Sequence, residues 1–122
     1  MKKRKFERKD NGKGAKKPSQ PFYQSPHFVE SFVDVPDRFE KNELYIVERN
    51  RKRKWLMLMC PNDCGRRLEL NLMDSKMPCW KVVVRQKKVT VYPSIVAERC
   101  GAHFWIERSE IIWSHVNGDT LF

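Results

Sequence analysis

Two short turns constrain this chain more than any other feature: CPNDCG at residues 60–65 and CGAH at residues 100–103. Each brings two metal-ligating side chains within a few residues of one another, and each is followed by a strand-like run. Pro61 presets one backbone dihedral and Gly65 admits a left-handed residue, so the Cys60 and Cys64 thiols can converge on one point. Gly101 and Ala102 are small enough for a tight bend between Cys100 and His103. Thiolate and imidazole are zinc ligands, and two ligand pairs about 35 residues apart match the two-pair plan of small zinc domains. The spacing predicts a structural Zn2+ held by Cys60, Cys64, Cys100 and His103. The C-x3-C pair is one residue longer than the commonest knuckle. Plain burial is the competing fate of any free cysteine. It is the expected one for Cys79, although Cys79 stands as an alternative or additional ligand. His115 reads as an edge-strand surface residue, and His27 is assigned no role.

Between and around these turns the pattern is strand-like. ELYIVER (43–49), WLMLMC (55–60), RRLELNL (66–72), WKVVVRQ (80–86), VTVYPSIV (89–96), HFWIER (103–108) and IIWSHV (111–116) are short β-rich runs joined by polar turns. Pro93 reads as a breaker. Helix is scarce, with DVPDRFEKNE (34–43) as the best candidate. The expected fold class is therefore mostly β: a small antiparallel, zinc-ribbon-like domain over residues 43–122. Residues 21–42, with three prolines among aromatics, read as an extended, irregular lead-in. Residues 1–20 read as a disordered basic arm, since nine bases against two acids place +7 of the chain's net +10 there and few apolar groups offset the cost of ordering it.

No apolar run approaches the ~18 residues of a membrane span, and no apolar segment follows the charged start to make a secretory signal. The expected location is the cytoplasm, without membrane association, where thiols stay reduced and disulfides are disfavoured.

The order LMLMCPNDCGRRLELNL, PCW (78–80), VTVYPSI and CGAHFWIERSEIIW resembles an uncharacterised family of small bacterial proteins. The resemblance covers residues 43–116, with C-x2-H-F-W-I its most specific part. It implies zinc binding, and it implies partners among ubiquitin-like conjugation components, because relatives occur beside genes for such enzymes and modifiers. Members often read C-P-C-G-C-G at the knuckle where this chain has Asn62; if that middle cysteine ligates in relatives, the ligand set here differs from theirs. The resemblance implies no established activity.

A closed four-ligand site is structural, whereas a catalytic zinc keeps an open position. The zinc-deaminase signature, G-x-S-x-G, the phosphate loop and H-E-x-x-H are all absent from the sequence. Glu69 fits a solvent-facing strand position better than a base. The expected function is a non-catalytic, zinc-stabilised protein-interaction module, an accessory of a bacterial ubiquitin-like conjugation or defence system, presenting Trp105 and Trp113. The alternative is a nucleic-acid-binding zinc ribbon that uses the basic arm and the turn carrying Arg49, Arg51, Lys52, Arg53 and Lys54.

Overall fold

The computed structural model describes residues 22–62 and 64–114, so the basic arm and His115 lie outside the described residues. Among the described residues, eight strands form two four-stranded sheets, each in sequence order. The first holds β1 (His27–Val29), β2 (Leu44–Arg49), β3 (Lys52–Met59) and β4 (Arg67–Asn71); the second holds β5 (Lys81–Arg85), β6 (Lys88–Ala97), β7 (Ala102–Glu107) and β8 (Glu110–Trp113). All pairings are antiparallel except β1 with β2. The described part of the protein is thus mostly β, with a single 3-10 turn at Phe32–Asp34 in place of the helix considered over 34–43. No helix among the described residues is long and apolar enough to cross a membrane.

The core lies between the sheets. Leu44, Ile46, Leu56, Leu58 and Leu70 from the first meet Val82, Val89, Val91, Ile95, Phe104 and Ile106 from the second. Strand alternation explains which residues these are: one face of each sheet turns inward. The first sheet is also covered on its outer face, where Val47 and Met57 pack with Val29, Val35, Phe39 and Trp55. Residues 29–39 thus cover that face. A strand buried on both faces needs no polar positions, and this accounts for the unbroken apolar run of β3. The outer face of the second sheet has no such cover, and Val96, Trp105 and Ile112 stand exposed on it.

The segment read as a lead-in is part of this construction. Tyr23 is buried in the main core and its N–H donates to the Ser109 carbonyl at 2.9 Å. His27 stacks on Tyr45 at 4.6 Å and lies 3.3 Å from Glu43.

Three hairpins turn through two residues at positive φ: Asn50-Arg51, Gln86-Lys87 and Arg108-Ser109. This is the turn whose twist matches that of the strands. A single connection, residues 72–80, joins the sheets. The Asn71 side-chain amide holds it by donating to the carbonyls of Met73, Lys76 and Pro78 at 3.0, 2.8 and 3.1 Å.

Candidate functional site

The first expected turn leaves the end of β3, and the Cys60 N–H donates to the Arg66 carbonyl at 2.8 Å to close it. The second joins β6 to β7, where the Gly101 N–H donates to the Ala97 carbonyl at 2.8 Å. Gly65 and Gly101 both have positive φ, 77° and 75°, the conformation these tight bends require. Because the sheets pack face to face, the turns meet at one end of the molecule. Cys60, Cys64 and Cys100 bring their sulfurs within 4.8 Å of one another.

The Cys60 and Cys100 sulfurs lie 3.3 Å apart and both residues are free thiols. That is far beyond a disulfide bond and near the roughly 3.8 Å that tetrahedral zinc–thiolate geometry imposes. Burial pushes the Cys60 thiol up to about 12, with the neighbouring Cys64 and Cys100 sulfurs adding to the effect. Cys100 moves down from its ordinary value, chiefly because the Ala102 backbone N–H donates to it, then because the Cys60 thiol does. Three converging sulfurs of which one is poorly ionised when alone fit a soft or borderline cation, which would supply the missing positive charge. The trio can therefore hold a metal ion.

His103, expected as the fourth ligand, is not in this group. Its Nε2 lies 2.9 Å from the Ser94 hydroxyl. The physical reason is strand direction. His103 is the second residue of β7, opposite Val96 on β6, and its side chain rises on the exposed outer face of the second sheet. Cys79 also stands apart, its thiol 3.6 Å from the Met77 sulfur.

Ser94 reaches His103 because β6 is irregular there. A four-residue step, from Val91 to Ile95, opposes the two-residue step from Ile106 to Phe104, so Tyr92, Pro93 and Ser94 bulge from the ladder. Pro93, read as a breaker, sits in this bulge inside the strand. The indole Nε1 of Trp80 donates to the Ser94 carbonyl at 3.1 Å and fixes the bulge from the open side. The Trp105 ring stacks on His103 with centroids 5.3 Å apart. Among the described residues no carboxylate bonds the imidazole, so the arrangement is a Ser–His pair. Trp80 stands out in sequence only as the tryptophan of PCW, with no role attached, and Ser94 not at all, for it lies in VTVYPSIV without any nucleophile motif.

The other expected contact residues divide. Trp105 and Trp113 are both partly exposed, Trp113 with one face against Phe104 at 5.6 Å. In the basic turn, Arg49, Arg51 and Lys52 are exposed and Lys54 is half-buried. Arg53 is committed to the fold: it donates to Glu48 at 3.1 Å and to the Val82 carbonyl at 2.9 Å. Glu69, an exposed residue of β4, pairs with Arg67 at 2.8 Å.

No curated protein and no solved structure matches this chain. One family does, over residues 31–114, and its description is bacterial ubiquitination-like system serine protease. That span takes in both cysteine turns, the bulge of β6 and the Ser94–His103 pair. The chain belongs to the BubE family of bacterial ubiquitination-like systems.

Proposed function

We propose that this protein is a Ser–His hydrolase that cleaves peptide bonds in the proteins of its ubiquitination-like system. The observation that carries this reading is the 2.9 Å contact between Ser94 Oγ and His103 Nε2. It lies within hydrogen-bond reach, as nucleophile and base must be. The family's description as a serine protease supports it. With the ring proton on Nδ1, Nε2 accepts the hydroxyl proton while Oγ attacks the carbonyl carbon. The protonated imidazole then gives that proton to the departing amine, leaving an acyl-Ser94. Water, deprotonated by the same Nε2, releases the acid and regenerates the hydroxyl. Trp105, stacked on the ring, would offer its electron-rich face to the transient imidazolium in place of a carboxylate.

The three cysteines would hold Zn2+ as a structural ion, and the ubiquitin-like modifier or its conjugating enzymes would be the partners, in the cytoplasm. This sets aside the non-catalytic module, which leaves the Ser94–His103 contact without a purpose. A fluorophosphonate probe tests the reading: it should label the purified protein at Ser94, and labelling should vanish in Ser94→Ala and fall at least about 100-fold in His103→Ala. Equal labelling of Ser94→Ala would defeat it.

A further inference from the structure

The hydrolase reading leaves open what kind of chain lies across Ser94, and the backbone around it narrows the choice. β5 pairs with β6 only as far as Lys81 opposite Tyr92. Beyond that point β6 has β7 on one side and no strand on the other. The outward-pointing groups follow from the ladder. The His103 carbonyl accepts from the Ser114 N–H at 2.9 Å, so His103 turns its backbone toward β8 and away from β6. Val96, directly opposite His103, is then a non-hydrogen-bonded partner whose N–H and carbonyl face the open side. Ser94, two residues earlier, faces the same way, and its carbonyl is the one that Trp80 takes. Among the described residues no backbone hydrogen bond reaches Val96 from that side.

This open edge forms one wall of a groove of about 500 Å³, lined by Val96–Cys100 opposite Cys64–Glu69. The groove therefore begins at Val96, two residues along β6 from Ser94, and ends at Cys64 and Cys100 of the cysteine trio. A free strand edge is complemented by a chain that brings its own alternating N–H and carbonyl groups. A compact small molecule has no such row.

Resting on the hydrolase reading, we infer that the Ser94–Ala97 edge of β6 binds the substrate as an extended polypeptide segment, added to the second sheet as a further strand. The Trp80 indole closes the edge at the Ser94 carbonyl. The docked segment accordingly runs along Val96 toward the cysteine turn and presents its scissile bond at the Trp80 end. Exposed Val96 then contacts the side chains on one of its faces.

The test uses the full chain and a pool of unstructured fluorogenic peptides. The best substrate is resynthesised with a single backbone N-methyl group at each position in turn, and fluorophosphonate labelling of Ser94 is followed in parallel. A docked strand turns every second N–H toward β6, so KM should rise about tenfold at alternate positions and stay unchanged between them. Penalties without a period of two would overturn the inference. So would labelling of Ser94 without cleavage of any peptide, while leaving the hydrolase reading intact. Absence of both labelling and cleavage would overturn the hydrolase reading itself.

Discussion

Tyr23 is the clearest single-residue anomaly. Its ring is buried with 3% of its surface exposed, and its hydroxyl has no hydrogen-bond partner among the described residues. A buried unsatisfied hydroxyl costs about 1–3 kcal/mol, so Tyr23→Phe should raise the urea midpoint rather than lower it. Burial, and after it the neighbouring Cys60 thiol, hold the phenol well above its ordinary value of 10.0. The unfolded chain therefore releases this proton first. Stability contributed by the neutral phenol is full below pH 10 and declines as pH rises above it. Urea titrations at pH 8 and pH 11 should show a larger drop for the native residue than for phenylalanine. Ser94 belongs to this scale too, and no pattern in the sequence announces it. Its partner sits nine positions away on the neighbouring strand, and a regular ladder would not place the two as they stand. The two-residue bulge does, and a proline in a β run reads as an end rather than as a bulge.

At the scale of elements the sequence was far more legible. All seven expected strands are present within a few residues, because alternation over a half-buried sheet leaves a period of two in the chain. The departures have local causes. β3 starts at Lys52 because Asn50-Arg51 alone makes the turn, and the basic residues that follow lie in the strand. β1 escaped notice because three residues of parallel edge strand carry no period to detect. The turn at Asn50-Arg51 yields a prediction. Arg51 holds φ at 64°, where a side chain costs about 1 kcal/mol relative to glycine. Arg51→Gly should therefore raise the midpoint of thermal unfolding by a few degrees, about 4–8 °C for each kcal/mol in a domain of this size. A lower midpoint would show that the strain is compensated by contacts of the Arg51 side chain.

For the whole molecule, the cysteine trio is where distant parts of the chain are tied. Cys60 and Cys64 leave and re-enter the first sheet, while Cys100 belongs to the hairpin of the second. That Cys60, Cys64 and Cys100 converge was legible because short spacing and small or turn-forming neighbours are visible in sequence. The destination of His103 was not, since it depends on which face of β7 the residue occupies. A metal held here would contribute to folding directly, by several kcal/mol. Chelation with a strong zinc ligand, or Cys60→Ser, should lower the melting temperature of both sheets together in one transition. A melting curve indifferent to chelation and a purified protein without metal would remove the structural ion.

One small device also governs how many molecules make a fold. The single passage between the sheets, residues 72–80, is kept folded back at Asn71, whose side-chain amide is shared among three carbonyls and whose backbone carbonyl accepts from the Trp80 N–H at 2.8 Å. Without that clasp the passage can straighten, and the second sheet of one copy is then free to settle on the first sheet of another. Asn71 is thus the residue on which self-containment turns, and Asn71→Ala should yield intertwined pairs at high concentration, visible as a doubled mass in light scattering.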